Sequence, residues 1–375
     1  MSWMSKQCAN STPRGDRPWW AGWLCAGLVV TALLGGSAQG ADTGDNRKVT
    51  PSAHQNSPQI NSVFDTVSPP ADAIRDLFYL VAAITGVILL LVGGMLVYCI
   101  IRFRQRKSDR GEPPQIYGSQ PIELAWTVAP LLTVFVLLMV VIRTVADTRR
   151  PELSKDALPV RVRVVGHRWW WEYQYPDFPG LTTANELHVP ASEKDRQRPI
   201  HLELESADVA HSFWAPRLAG KTDLIPGHKN MMWFQTEQEG VYRGQCAEYC
   251  GAQHANMLIR VVVDSPDTFK TWAAQQAAPQ QVDPKFAAGL KVFVTRTCVN
   301  CHTIRGTEAK GTVGPDLTHL ATRKTLAAGA IDNAPEKLAA WLRDPQTIKP
   351  GCDMPSLRLT EAEIRELVRF LGSLD

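Results

Sequence analysis

The stretch CAEYCGAQHANM, residues 246–257, decides how the exported half of this chain is read. Its cysteines stand at 246 and 250, and a histidine and a methionine follow at 254 and 257. Thiolate, imidazole and thioether are soft donors of the kind copper prefers. A mononuclear blue-copper site takes two histidines, one cysteine and a weak methionine, so this stretch has one cysteine too many. Two thiolates on one short loop can instead bridge a pair of copper ions, each completed by a histidine and a weak ligand. On its own, however, a CxxxC pair outside the cytoplasm reads first as a disulfide. The surrounding sequence must decide.

A second histidine has to come from upstream. His211, in HSFWAP, ends an alternating segment and is separated from the cysteine loop by the turn KTDLIPGHKN and one more strand. His228 lies in that turn and reads as exposed, while His167, His188 and His201 read as structural or surface residues. Across residues 159–264 apolar and polar residues alternate, as in VRVRV at 160–164, and Pro and Gly break the runs. Short strands of this kind predict an all-β sandwich or barrel over 158–265.

Upstream of it the chain is built for a membrane. Arg14 and Arg17 precede an apolar run ending near Leu34, and Ala38-Gln39-Gly40 offers a small-residue cleavage site. Residues 1–40 therefore read as a signal peptide, with an uncleaved anchor as the alternative, and 41–72 as an exported N-terminal segment. Two longer apolar runs then predict a transmembrane hairpin within 73–146, with helices at about 77–101 and 122–145. Arg102, Arg104, Arg106, Lys107 and Arg110 place the connection in the cytoplasm and the C-terminal half outside. Glu123, in ELAWT, opens the second span, where a carboxylate stabilises a helix N-terminus. The net charge of the 375 residues is +3, from 40 basic against 37 acidic groups, and gives no reason to expect a nucleic-acid partner.

Beyond the β segment, the Ala, Gln and Pro content of WAAQQAAPQQVDP marks a linker over 266–284, and residues 285–375 read as helical. There CVNCH, residues 298–302, has the spacing for covalent haem c: Cys298 and Cys301 add to the vinyl groups and His302 ligates iron. Met354, in KPGCDMPS, is the candidate for the opposite axial position, with His319 as its rival. Cys352 reads as a small buried thiol. Thr360 and Glu363 form a capping box at the head of a closing amphipathic helix. CxxCH, GPDL at 314–317, a Met-Pro loop and a terminal helix together resemble a class I cytochrome c. That resemblance implies that Pro315 orients His302 through its carbonyl.

HSFWAP with KTDLIPGHKN, followed by GVYRGQCAEYCGAQHANM, resembles subunit II of the haem-copper cytochrome c oxidases over residues 60–265. The resemblance implies a cupredoxin-like domain holding a binuclear copper A centre on His211, Cys246, Cys250, His254 and Met257, with the backbone carbonyl of Glu248. It further implies magnesium at the Glu248 side chain, electron transfer through Trp169 in GHRWWWEYQYP, and a proton-path mouth at Glu123. Arg168 and Trp170 depart from the family's usual GHQWYW. With the fused cytochrome, the whole resembles subunit II of a caa-type oxidase: a multi-domain membrane protein made of a helical hairpin, a β domain and an all-α cytochrome domain. Such a chain would pass electrons from cytochrome c, or from its own haem, through copper A to an oxygen-reducing site in subunit I, coupled to proton translocation. The implied partners are subunits I and III, an electron donor and the lipid bilayer. The implied location is a bacterial inner membrane with both metal domains on the outer side. The rival reading is a membrane-tethered cytochrome in which Cys246 and Cys250 form a disulfide. A copper-delivery protein would use a more open thiol pair, a quinol oxidase subunit would lack the copper ligands, and a nitrous oxide reductase would lack the hairpin.

Overall fold

The computed structural model describes residues 62–375 except 107–110, 113–114, 116, 150 and 152. The signal peptide, most of the exported segment, and Lys107 and Arg110 of the basic connection lie outside the described residues.

Helices α1 (Pro69–Arg102) and α2 (Gln120–Arg149) pack against each other as a hairpin and expose apolar side chains along their length. Both exceed the sequence expectation because each is extended by polar turns. At 1.5 Å per residue α1 is about 50 Å long, against a hydrocarbon core of about 30 Å. The extra N-terminal turns, begun by Pro69 and carrying Asp72, dock on the β domain. There the Val67 amide donates to Arg217 O (3.0 Å), the Gln235 amide donates to Ser68 Oγ (3.2 Å), and Arg217 pairs with Asp65 (2.8 Å).

The β domain comprises β1 (Val160–His167), β2 (Trp170–Gln174), β3 (Thr182–Ala184), β4 (Glu186–Pro190), β5 (Ile200–Ser206), β6 (His211–Trp214), β7 (Thr222–Leu224), β8 (Asn230–Phe234), β9 (Gly240–Cys246) and β10 (Leu258–Asp264). They form two five-stranded sheets, ordered β3-β2-β1-β5-β8 and β4-β10-β9-β6-β7. Alternation in β1, β5 and β10 sends one side of each strand inward, so Val162, Val164, Leu202, Leu204, Val261 and Val263 join one buried core. Burial of residues this size is worth roughly 1.5–3 kcal/mol each.

The expected linker is corrected over its first half. Residues Pro266–Ala277 form helix α3, which buries Phe269 and Ala273 against the β core. Ser265 caps it by accepting from the Thr268 amide (3.3 Å). Alanine and glutamine form helix well, and one apolar face was enough to dock the segment.

The C-terminal domain contains α4 (Ala287–Thr295), α5 (Pro335–Arg343), α6 (Pro345–Ile348) and α7 (Glu361–Leu371), with a small hairpin of β11 (Thr325–Leu326) and β12 (Ile331–Asp332). Helices α4 and α7 pack together through Phe293 and Phe370, whose rings stand 6.0 Å apart. The capping box is present: Thr360 Oγ1 accepts from the Glu363 amide (3.3 Å), and Glu363 accepts from the Thr360 amide (2.8 Å).

Candidate metal centres

Strands β6 and β9 are antiparallel neighbours with Phe213 opposite Cys246, and this register carries His211 to the cysteine loop across 35 positions of sequence. Its Nδ1 lies 4.0 Å from Cys246 Sγ. On the other side its Nε2–H donates to Asp208 (2.8 Å), which fixes the ring. Gly166 leaves the room this ring needs, since a Cβ there would sit 2.8 Å from His211 Cδ2. Burial pulls the His211 pKa down, but Asp208 and Cys246 more than offset it, and the net direction is up.

After β9 the loop turns back so that Cys250 Sγ lies 3.8 Å from Cys246 Sγ, 3.6 Å from His254 Nδ1 and 3.9 Å from Met257 Sδ. Cys246 Sγ also stands 3.2 Å from the Glu248 carbonyl. Both cysteines are free and buried, and their separation is far beyond the S–S bond length of about 2.05 Å. The hydrogen bond from Cys250, opposed by burial and reinforced by His211, brings the Cys246 thiol down to about 3. That same pairing, with burial, pushes Cys250 up. A cation bound between the two sulfurs would favour both as thiolates. The ligand atoms of His211, Cys246 and Cys250 all lie within 4.8 Å of one another. With His254, Met257 and the Glu248 carbonyl beside them, they form a soft donor set that fits copper.

In the C-terminal domain Cys298–Asn300 form one turn of 3₁₀ helix, and the His302 amide donates to Cys298 O (3.0 Å). His302 Nδ1 lies 2.8 Å from Pro315 O. A carbonyl only accepts, so Nδ1 carries the proton and Nε2 keeps its lone pair. Burial lowers the His302 pKa, which keeps the ring neutral as an iron ligand must be. Gly314 lies flat on this ring: a Cβ there would meet His302 Cε1 at 2.6 Å.

A cavity opens before His302, lined by Cys298, Cys301, Pro315, Met354 and Arg323. Arg323 escaped the sequence reading. It is 7% exposed, its guanidinium donates to Asp316 O, and its Nε has no partner. Arg323 as a residue lines the cavity, and a guanidinium there suits an acidic group such as a haem carboxylate. The donor set and this lining arginine both fit a haem.

The β domain supplies the remaining wall of the cavity through Trp169 and Trp170. Trp170 stacks on His167 with ring centroids 4.1 Å apart, and Trp169 donates from Nε1 to Cys250 O (2.9 Å). Trp169 therefore borders the cavity on one side and the cysteine loop on the other.

The remaining sequence candidates are placed as follows. His319, the rival axial candidate, is buried: one ring nitrogen bonds Asp375 O, the other bonds Ala278 O (3.0 Å), and neither is left for iron. Cys352 is half-buried and lines the cavity, because its loop wraps the cavity mouth. Glu123 lies in the first turn of α2, where it accepts from the Ser119 amide (3.3 Å) as a capping carboxylate would. The Glu248 side chain is partly exposed and stands 3.8 Å from Lys221. Among the described residues no second group of three metal donors gathers around it, so a cation there would need donors from outside this chain.

Comparisons with known proteins match each of the three segments. Residues 56–143 match the family described as cytochrome c oxidase subunit II, transmembrane domain, and residues 160–266 match its periplasmic domain. Residues 286–375 match cytochrome c. The chain is 31% identical over 321 residues to cytochrome c oxidase subunit 2 of Alkalihalophilus pseudofirmus, covering 84% of this chain and 90% of that one. It is 33% identical to the same subunit of Bacillus sp. (strain PS3), covering 72% and 80%, and 32% identical to that of Bacillus subtilis, covering 81% and 90%.

Proposed function

Because the chain belongs to the cytochrome c oxidase subunit 2 family and carries a cytochrome c domain at its C-terminal end, we propose that it is the electron-input subunit of a bacterial terminal oxidase and contains both haem c and copper A. The observation that carries this reading is the shared wall. Trp169 borders the cavity of CVNCH and is hydrogen-bonded to a candidate copper ligand.

Cys298 and Cys301 would hold haem c covalently, with His302 and Met354 on its iron, Pro315 orienting His302, and Arg323 meeting a carboxylate. His211, Cys246, Cys250, His254 and Met257, with the Glu248 carbonyl, would hold the copper pair. When bound, the two centres supply one-electron carriers whose soft and Met/His ligation favours flow toward an oxidant. The protein's own part is to bury the ligands, exclude water and hold Trp169 between the centres. Covalent fusion keeps donor and acceptor at high effective concentration.

Neither membrane helix contains a histidine, so oxygen reduction belongs to a partner subunit I. Subunit III, an external cytochrome c as donor, and a proton path beginning at Glu123 complete the proposal. The exposed apolar faces of α1 and α2 supply its lipid and subunit contacts. The basic connection sets both metal domains outside the inner membrane.

The test is copper per haem in the purified full chain, together with its electron paramagnetic resonance spectrum. Two copper ions per haem sharing one unpaired electron is the expected result. Haem without copper, and a Cys246–Cys250 disulfide under copper-loading conditions, would leave a tethered cytochrome instead.

A further inference from the structure

Lys349 is a buried cation that has no carboxylate partner among the described residues. It is 3% exposed, and its ammonium donates to three backbone carbonyls: Trp169 O (2.7 Å), Asn256 O (2.8 Å) and Ala327 O (3.0 Å). Trp169 follows β1, Asn256 precedes the candidate ligand Met257, and Ala327 follows β11 of the C-terminal domain. One nitrogen therefore ties the cavity loop at once to the tryptophan and to the copper-ligand loop.

This position is expensive in folding terms, since a buried charge stabilises a fold less well than an apolar side chain of its size. Holding the domains together does not require it. Glu186 of β4, 2% exposed, accepts from the Thr325 amide (2.9 Å) and hydroxyl (2.8 Å) and from the Lys324 amide (3.0 Å). The Leu258 amide donates to Ala328 O (3.1 Å), and Arg305 donates to Ala277 O (3.1 Å) and Gln276 O (2.5 Å). What Lys349 adds is location. It is the contact of this interface that touches Trp169 itself, and it lines the same cavity as His302 and Met354.

We propose that Lys349 is a positioning residue for electron transfer inside this chain: by gathering the carbonyls of Trp169, Asn256 and Ala327 on one ammonium, it fixes the haem cavity against the Trp169 edge and the copper-ligand loop. Three donors converging from one tetrahedral centre can satisfy three carbonyls from different segments. The planar fork of arginine cannot reproduce that geometry, and a shorter amide cannot span it. The domains then have one productive docking, and the linker after Ala277 cannot swing the cytochrome away from it.

The inference rests on the proposed haem and copper sites, and its test separates the two. The assembled oxidase is prepared with wild-type chain and with Lys349→Met, and haem and copper contents are measured first. A wild-type chain without copper would overturn the proposed function and this inference with it. With both centres loaded, haem-to-copper transfer is followed after flash reduction of the haem. Independently of activity, hydrogen exchange is measured at the Leu258 and Thr325 amides, which cross the interface. The expected result for Lys349→Met is unchanged haem and copper content, faster exchange at both amides, and haem-to-copper transfer slower than in wild type. Wild-type exchange and wild-type transfer would overturn it. If Lys349→Met does not assemble, Lys349→Arg retains the charge but not the convergence. Slowed transfer there supports the proposal, and an unchanged rate with unchanged exchange overturns it.

Discussion

The indole nitrogen of Trp169 donates to the backbone carbonyl of Cys250 at 2.9 Å, across 81 positions of sequence. Trp169 is nearly buried, so this bond lies in a dry interface where an unmade partner is costly. The ring that walls the haem cavity is thereby fixed to a residue that would hold copper. The cavity wall and the cysteine loop thus share a direct hydrogen bond.

Trp169→Phe keeps an aromatic wall and removes this donor. The cost to stability is on the order of 1–3 kcal/mol, because the Cys250 carbonyl is left unpaired in a buried site. Transfer from haem to copper should slow relative to wild type, while copper content stays at the wild-type level. Flash-induced reduction of copper measures the rate, and metal analysis checks the content. A wild-type rate would remove Trp169 from the path.

Gly314→Ala would place a Cβ 2.6 Å from the His302 ring. Neither the ring, held by Pro315 O, nor the backbone can yield freely, so overpacking should cost about 1–3 kcal/mol. The expected outcome is a haem attached through both thioethers but with a weakened proximal bond. It is seen as a changed absorption spectrum and a lower melting temperature of the cytochrome domain. An unchanged spectrum would mean that His302 is not held as described.

Much of this was legible because covalent spacing carries chemistry. Cys246, Cys250, His254 and Met257 lie on one loop, CVNCH on one turn, and the capping box is local. His211 was legible through strand order, since one strand pair returns it to the loop. Lys349 and Glu186 left no such trace, because their partners are backbone groups of segments distant in sequence. Arg323 was hidden for the same reason, its role being set by burial. Helix α3 had a readable signal in Ser265-Pro266 and in the apolar spacing of Phe269 and Ala273, but its Ala and Gln content also suits a linker. His319 stood as a rival iron ligand because nothing in sequence brings Asp375 and Ala278 to its two nitrogens.

Met354→Leu keeps the volume that packs against the cytochrome core and removes the thioether. Such swaps cost under about 1.5 kcal/mol, so the domain should fold and take up haem. Without a sulfur ligand the haem potential should fall, because Met/His ligation raises it. His319 cannot substitute while Asp375 and Ala278 occupy its ring nitrogens. A redox titration with an unchanged potential would show that the sixth ligand lies elsewhere.

The β domain should lose stability in acid through Glu205. Its carboxylate on β5 pairs with Arg163 (2.6 Å) and Lys229 (2.8 Å). The Arg163 hydrogen bond, followed by that of Lys229, overcomes burial and brings its pKa from 4.5 down to about 2. The folded state therefore holds this proton less tightly than the unfolded state. The associated stability is fully present above the unfolded value of 4.5 and is lost as pH falls toward about 2. Arg163 and Lys229 are 40% and 64% exposed, so solvent screening leaves about 1 kcal/mol of the contribution. Glu205→Gln should accordingly lower the unfolding free energy of the β domain by about 1 kcal/mol near neutral pH, and the gap from wild type should close as the pH approaches about 2. Denaturant unfolding of both proteins across that range measures the gap. A gap that stays constant with pH would assign the loss to packing of Glu205 rather than to its charge.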